Sequence, residues 1–130
     1  MNRFSWPARV YYEDTDAGGV VYYANYLKFF ERARTEWLRS FGLNQDKLAQ
    51  DSGLIFVVRR ALLDFMRPAR LDDMLEVTVE PLKLARVYVD LAQEARCGAK
   101  TLARAEIRVA CVNQQSLKPV AIPQFLRDNI

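Results

Sequence analysis

The stretch YYEDTDAGGVVYYANYLKFFERARTEWL, residues 11–38, decides the fold class and raises the question of function. Its second half repeats apolar side chains with the period of an α-helix and predicts a helix from Tyr22 to Phe41, ended by Gly42. About five turns make it long enough to be the central helix of a small domain. The predicted apolar face consists of Tyr23, Tyr26, Leu27, Phe30, Ala33, Trp37, Leu38 and Phe41.

Strand-like patterns surround this helix. Residues 8–14 predict a first strand, and a short helix capped by Asn44 follows the long one. Four further strands are predicted within residues 53–69, 73–84, 86–96 and 101–112, the last two joined by a hairpin at residues 97–100. The order favours an α+β fold in which one helix is laid across a curled antiparallel sheet of five strands.

Length and composition narrow the class of protein. The 130 residues are expected to form one domain, 1–130. The 19 basic and 16 acidic side chains give a net charge of +3 and are spread along the chain, which suits small anionic ligands or an acidic membrane surface better than nucleic acid.

Without a signal-like N-terminus or a membrane-length apolar run, a cytoplasmic location is expected. Cys97 and Cys111 are expected to be buried, reduced thiols.

The chain contains no histidine. This excludes Ser-His-Asp and Cys-His catalysis, histidine-containing zinc sites and any imidazole acid or base. If the protein is an enzyme, then carboxylates, hydroxyls, phenols or backbone dipoles must carry out its chemistry.

The segment DTDAGG, residues 14–19, has two interpretations. A helix N-terminus offers unpaired N–H groups and a partial positive charge, so Asp16 beside it supplies a base or nucleophile next to an oxyanion site. The glycines allow a substrate to approach the backbone closely. Alternatively, the segment is only a turn, with Asp14 or Asp16 bound to loop amides. A magnesium site at the two aspartates is poorly supported because further acids and phosphate-binding glycines are missing nearby.

The same stretch resembles the signature of the 4-hydroxybenzoyl-CoA thioesterase family, and especially its Tol–Pal-associated, YbgC-like acyl-CoA thioesterases. The pattern DxDxxGxVxxxxY followed by FFERAR carries the resemblance, and RPARLDDMLEV and PVAIP extend it over nearly the whole chain. The resemblance implies a hotdog fold, in which a five-stranded antiparallel sheet wraps a long central helix. It also implies hydrolysis of acyl-CoA to a free acid and CoA, with no metal and no cofactor apart from the CoA of the substrate.

Site residues follow from the resemblance. Asp16 matches the catalytic carboxylate, which attacks the thioester carbonyl or activates water, and the backbone N–H of Tyr23 matches the donor that polarises the thioester C=O. Asp14 is expected to order the loop. The remaining matches, which shape the approach and the substrate pocket without a chemical step, are Gly19, Tyr22, Asn25, Tyr26 and, on the helix, Glu31.

Tyr23 is a departure from the pattern. The YbgC-like branch usually carries histidine at this position, whereas the aroyl-CoA branch tolerates tyrosine. A role through the backbone N–H is unaffected by the exchange. If an imidazole contributes in the YbgC-like branch, this chain must work without it, and its rate or substrate preference can differ.

Partners are also implied. Lys83 and Arg86 fall where the family places basic contacts to the CoA phosphates, although a solvated strand end is the simpler explanation for both. Arg59 and Arg60 are further candidates with less support. A sheet covered on one face and open at its edges favours a homo-oligomer, and the family contains dimers and tetramers.

The Tol–Pal resemblance implies association with that system or the inner membrane, and the alternative function is a non-catalytic interaction protein. A hotdog hydratase is disfavoured because such enzymes pair an acid with histidine.

Overall fold

The structure, a computed structural model, describes residues 3–130; residues 1 and 2 of the predicted domain lie outside them. Within residues 3–130, three helices and five strands follow one another, with short 3₁₀ turns at Tyr12–Asp14 and Tyr23–Asn25. In chain order they are β1 (Phe4–Arg9), α1 (Tyr26–Arg39), α2 (Gln45–Ser52), β2 (Leu54–Phe65), β3 (Met74–Leu84), β4 (Tyr88–Cys97), β5 (Lys100–Asn113) and α3 (Gln124–Asn129).

All the strands belong to one antiparallel sheet in the order β1-β3-β4-β5-β2. The long β4–β5 ladder turns back through a hairpin in which Gly98 adopts a φ of 59°. The predicted alternation is confirmed in the middle of β5: Ala103, Ala105 and Ile107 are buried, and Arg104 and Glu106 between them are exposed. The predicted α+β architecture, one long helix against a five-stranded antiparallel sheet, is therefore confirmed.

Helix α1 packs against β1, β3 and β4 on one face of the sheet and closes the core. Phe29 and Phe30 are fully buried there, and burial of each phenylalanine contributes about 1.5–3 kcal/mol. A buried glutamine fixes the helix in place: Gln93 on β4 donates from Nε2 to the carbonyl oxygen of Phe30 at 3.0 Å. Its Oε1 accepts a hydrogen bond of 2.9 Å from the Arg34 guanidinium, so helix and sheet are joined by polar contacts as well as by apolar ones.

The structure corrects the start of the chain and of the helix. The predicted strand at residues 8–14 is instead β1 at Phe4–Arg9, followed by the 3₁₀ turn at Tyr12–Asp14. The predicted helix from Tyr22 to Phe41 is a 3₁₀ turn followed by α1, because the chain enters through a tight turn before the α-helical bonds begin. Gly42, at a φ of 82°, follows the helix end as predicted.

The predicted apolar face of the helix is wrong at its N-terminal end. Leu27 and Tyr23 are exposed, whereas Phe29, which was not assigned to the face, is 1% exposed. The 3₁₀ turn changes the angle at which side chains leave the backbone, so a single 3.6-residue period carried back to Tyr23 misplaces the first turn.

Three further features differ from or add to the sequence prediction. Strand β2 crosses to the far edge of the sheet and pairs with β5. Helix α3 was not predicted; its Leu126 is fully buried against the core. Cys111 is buried as expected, and burial raises the pKa of its thiol, but Cys97 is only half-buried because it ends β4 at the hairpin.

Within residues 3–130, none of the helices combines the length and the apolar character needed to cross a bilayer.

Candidate active site

The segment DTDAGG forms a tight turn that folds back on itself. The N–H of Asp16 donates to the carbonyl oxygen of Val20 at 2.9 Å, and the N–H of Gly19 donates to the carbonyl oxygen of Asp16 at 3.0 Å. Gly19 has a φ of 78°, a conformation that favours glycine, and Thr15 pairs with Val21 across the turn. These bonds form a type I turn closed by a glycine bulge. The same residues were interpreted from the sequence either as a turn or as a catalytic site, and the two interpretations are compatible.

Asp14 anchors this turn from inside the protein. Its side chain is 5% exposed; Oδ2 accepts the N–H of Tyr11 at 2.8 Å and Oδ1 accepts the Nδ2 group of Asn25 at 2.9 Å. The carbonyl oxygen of Asp14 accepts the N–H of Tyr22. Asp14 and Asn25 therefore join the turn to the start of the helix, which leaves both side chains occupied in structural contacts.

Asp16 points the other way, towards solvent. Its Oδ1 accepts the N–H of Gly18 at 2.8 Å, and a methyl group built on Gly18 would lie 3.2 Å from that oxygen. Among residues 3–130, no donor is hydrogen-bonded to Oδ2 of Asp16 and no cation pairs with the carboxylate. One oxygen is thus held by the turn while the other faces outward, ready to accept a proton or to attack a carbonyl carbon.

The helix start supplies donors beside this carboxylate. The N–H of Tyr22 is used by Asp14 and that of Asn25 by Tyr22, but those of Tyr23 and Ala24 donate to no acceptor within the described part of the chain. Free N–H groups at a helix start carry partial positive charge and stabilise an oxyanion. Tyr23 is 62% exposed, so a ligand can reach its backbone.

Aromatic rings border the site on one side. The Tyr22 and Tyr23 rings lie 4.9 Å apart, and the Tyr23 ring meets Phe65 edge-on at 6.0 Å. The neighbouring Tyr23 hydroxyl raises the pKa of Tyr22. Tyr26 is buried against Phe65, its hydroxyl accepts the N–H of Ala69 at 3.1 Å, and burial raises its pKa. Tyr22 and Tyr23 are therefore the exposed walls, and Tyr26 supports them from within.

The structure does not bring Lys83 and Arg86 to Asp16 in the same chain. The turn lies at the Met74 end of β3, where Arg9 pairs with Met74. Lys83 is nine residues further along that strand, about 30 Å away at 3.3 Å per residue. The Lys83 ammonium lies 5.6 Å from the Tyr88 ring, and Arg86 is exposed in the β3–β4 turn.

The remaining predicted residues lie apart from the turn. Arg59 and Arg60 are exposed on β2, at the edge of the sheet. Glu31 is exposed on α1 and borders a separate cavity of about 140 Å³, which is lined mainly by apolar side chains and by Arg34. Burial lowers the pKa of Arg34. Within residues 3–130, no three Cys, Asp or Glu side chains are grouped so that they could hold a metal ion.

Sequence reasoning missed two neighbours of the candidate site, one at the helix start and one at the turn. Phe65 comes from the end of β2, and Arg70 pairs with Val20 in an isolated β-bridge. Both lie more than forty positions from the DTDAGG motif in the sequence. No local pattern predicts such long-range contacts, because they depend on how the β2–β3 connection returns to the helix start.

A turn-held carboxylate beside a free helix start, on a helix laid across a five-stranded antiparallel sheet, defines the class of hotdog-fold thioesterases. The family described as the thioesterase-like superfamily matches residues 10–130. The chain belongs to this superfamily.

Individual relatives agree with this assignment. The acyl-CoA thioesterase YbgC of Haemophilus influenzae is 46% identical over 126 residues, 97% of this chain and 93% of that protein. The Helicobacter pylori acyl-CoA thioesterase YbgC is 39% identical, with 92% and 94% covered. The crystal structure of a probable thioesterase from Bartonella henselae superimposes with a TM-score of 0.89 at 38% identity, over 94% of this chain and 100% of that one. The resemblance to the YbgC-like acyl-CoA thioesterases is thereby confirmed, and with it the hotdog fold.

Proposed function

We propose that this protein is an acyl-CoA thioesterase that hydrolyses the thioester to a free acid and CoA. The observation that carries the proposal is the pairing of two features at one corner of the fold. Asp16 presents a free carboxylate oxygen, and Tyr23 presents a free backbone N–H at the helix start. Thioester hydrolysis needs a base or nucleophile beside an oxyanion donor. The names of the relatives support the same reaction class.

The geometry suits a mechanism in which the thioester carbonyl oxygen accepts the Tyr23 N–H. In one route Oδ2 of Asp16 attacks the carbonyl carbon, CoA leaves as a thiolate that takes up a proton, and water then hydrolyses the mixed anhydride. In the other route Asp16 removes a proton from a water molecule that attacks the carbon, and the proton passes to the leaving thiolate. Both routes consume one water, and neither requires a metal or redox cofactor.

The supporting residues have separate roles in this proposal. The turn at Gly18 and Gly19 carries no side chain, so the thioester can approach the helix start closely. The exposed ring of Tyr22 forms a wall of the substrate pocket. Asn25 and Tyr26, both buried, keep the helix start in place through Asp14 and Ala69.

A homo-oligomer, either a dimer or a tetramer, is part of the proposal. Strand β2 is one edge of the sheet and exposes Val58, Leu62 and Phe65, with Leu62 60% exposed. The opposite edge strand, β1, carries Pro7, which has no N–H to donate and so blunts pairing. A long edge with exposed apolar side chains favours pairing with a second copy. In such an assembly Lys83 and Arg86 are available to the site of another copy, although their own Asp16 is distant.

The test is thiol release from a panel of acyl-CoAs with short, long, dicarboxylic and aromatic acyl groups. Asp16→Asn keeps Oδ1, and with it the bond from the Gly18 N–H, but removes the nucleophile or base. We expect kcat/KM to fall at least about 100-fold, as for the loss of a general base. Asp51→Asn, at an exposed aspartate on α2, is the matched control and should retain wild-type activity. Full activity of Asp16→Asn would refute the mechanism.

The alternative prediction is a non-catalytic role in the Tol–Pal system or at the inner membrane. It predicts the opposite result in the same thiol-release assay. The wild-type protein would release no thiol from any acyl-CoA, and Asp16→Asn would leave the cellular phenotype of the gene unchanged. The acyl panel therefore separates the two functions before any partner is sought.

A further inference from the structure

A cavity of about 140 Å³ lies between α1, the sheet and the C-terminal helix α3. Its walls are mainly apolar. They include Trp37 on α1, Leu91 on β4, Val109 on β5 and Leu126 on α3, all of which are buried. An apolar cavity of about 150 Å³ holds one benzene molecule, so this cavity has room for an apolar body of about six carbon atoms.

One cationic side chain, that of Arg34, forms part of this apolar wall. It is half-buried, and its Nη1 donates to Oε1 of Gln93 at 2.9 Å. No carboxylate within residues 3–130 lies within 4.0 Å of the Arg34 guanidinium. A guanidinium has five N–H donors and stays charged in proteins. Because its side-chain partner among the described residues is a neutral amide, the positive charge at the cavity is not neutralised by a direct ion pair.

The cavity reaches the surface at Glu31 and Val58. Both residues line it, both are exposed, and Val58 is 50% exposed. The Glu31 carboxylate is more than 4.0 Å from the Arg34 guanidinium, and solvent screens the charge of such an exposed group. A small molecule can therefore enter from solvent, and the interior of the cavity favours a negative charge.

The cavity is separate from the candidate active site. Arg34 lies eight residues beyond Tyr26, where α1 begins, which is about 12 Å along the helix at 1.5 Å per residue. Within the described residues, its walls include neither the DTDAGG turn nor Tyr23, whose N–H is free. A ligand held at Arg34 thus leaves the position between Asp16 and Tyr23 unoccupied.

We propose that this cavity binds a carboxylic acid with an apolar body of about six carbon atoms, its carboxylate at Arg34 and its body against Trp37 and Leu126. Two parallel N–H groups of a guanidinium match the two oxygens of a carboxylate. A neutral molecule of the same shape leaves the Arg34 charge unpaired, and a cation is repelled by it. The site is a second ligand-binding site, and its test does not depend on thioester hydrolysis.

Fluorescence titration of the wild-type protein with hexanoate at pH 7 is the first test. Trp37 lines the cavity and reports on its occupancy, whereas Trp6 lies on the edge strand β1. Hexanoate should change the emission until the site is saturated. Hexanol, which has the same body without the charge, should bind about 10- to 100-fold more weakly, as expected when hydrogen bonds to a charged group are lost. This comparison needs no variant, so it holds even if a substitution at Arg34 prevents folding.

A pair of variants then locates the acid. Arg34→Met removes the charge and keeps an unbranched apolar side chain, and Arg32→Met, at an exposed arginine on the same helix, is the matched control. We expect Arg34→Met to bind hexanoate about 10- to 100-fold more weakly than the wild type, and Arg32→Met to bind it equally well. Asp16→Asn should also bind hexanoate like the wild type, because the turn is not part of the cavity. Urea unfolding verifies that each variant is folded.

Three outcomes would overturn the proposal. Equal affinities for hexanoate and hexanol would show that the cavity takes apolar molecules without using the charge of Arg34. Hexanoate binding that changes in Asp16→Asn and not in Arg34→Met would place the acid at the DTDAGG turn. Absence of hexanoate binding is the third outcome, and tryptophan emission that then varies with protein concentration would show that a second copy of the chain fills the cavity.

Discussion

The two aspartates of the turn, although only two residues apart, should respond to mutation in opposite ways. Replacing Asp14 by alanine removes a buried carboxylate that accepts hydrogen bonds of 2.8 Å from the Tyr11 N–H and 2.9 Å from Asn25. Replacing Asp16 by asparagine alters an exposed group and keeps the oxygen that the Gly18 N–H needs. Asp14→Ala should therefore lower stability, and Asp16→Asn should lower activity only.

The size of the loss follows from the two bonds. A hydrogen bond to a charged group contributes about 1.5–3 kcal/mol, so removing both sets an upper limit of about 6 kcal/mol. Tyr11 is mostly exposed, and water replaces the bond to its N–H. The side-chain amide of Asn25 is buried, so water does not replace its lost hydrogen bond, and the cost of leaving this donor unpaired remains. We expect the free energy of unfolding to fall by about 3 kcal/mol for Asp14→Ala and by less than about 0.5 kcal/mol for Asp16→Asn.

Urea unfolding followed by tryptophan fluorescence measures this difference, because Trp37 on α1 is buried in the core and changes environment on unfolding. The variants are compared at one protein concentration, since oligomerisation shifts apparent stability. The reasoning is refuted if Asp14→Ala loses less than about 1 kcal/mol, or if Asp16→Asn is as unstable as Asp14→Ala.

Two further predictions concern the sheet. Arg108 donates to both oxygens of Asp90 at 2.8 and 3.0 Å and lowers the pKa of that carboxyl below its ordinary 3.8, so the pair stabilises the fold above that pH and loses its effect as the pH falls through the lowered pKa. Asp90→Asn should accordingly unfold at a lower urea concentration than the wild type at pH 7, with the difference shrinking as the pH falls below 3.8; a difference that stays constant over that fall in pH contradicts this. Leu62→Lys on β2 should reduce the molar mass measured by light scattering, whereas Leu117→Lys, at an equally exposed loop leucine, should not; identical masses for both variants would exclude β2 as the interface.

Local patterns in the sequence were sufficient to predict most elements. The period of the apolar residues between Tyr26 and Leu38 placed α1, and alternation placed β3, β4 and β5. The errors cluster at the 3₁₀ turns, where neither a period of two nor one of 3.6 applies. Strand β1 was displaced for the same reason, since the acids after it belong to a turn.

The position of β2 at the edge was beyond sequence reasoning. Its first half, residues 54–58, is a continuous apolar run of the kind typical of strands buried on both faces. In the structure these side chains are half-buried or exposed, because β2 lacks a second neighbour among the described residues. The apolar pattern indicates that these side chains need to be buried, but it does not show which surface buries them.

The candidate site was predicted in part. Asp16, Gly19 and the start of the helix come together because they are close in sequence, and short-range turn chemistry governs them. Lys83 and Arg86 were assigned by resemblance, and their distance from the turn depends on strand length and direction. Arg70 reaches the turn and Phe65 reaches Tyr23 through the sheet topology, which no motif records.

The division of labour between Asp14 and Asp16 has a consequence for how the motif can vary. Thr15 between them is extended, with φ −101° and ψ 157°, and in a regular strand two residues spaced in this way would share a face. The two carboxylates diverge because Asp14 ends the 3₁₀ turn at Tyr12–Asp14, whereas Asp16 begins the next turn, in which its N–H donates to the carbonyl oxygen of Val20. Each aspartate is therefore placed by its own turn, so a residue inserted between the two turns should shift the reactive carboxylate while leaving the anchoring bonds of Asp14 to Tyr11 and Asn25 in place.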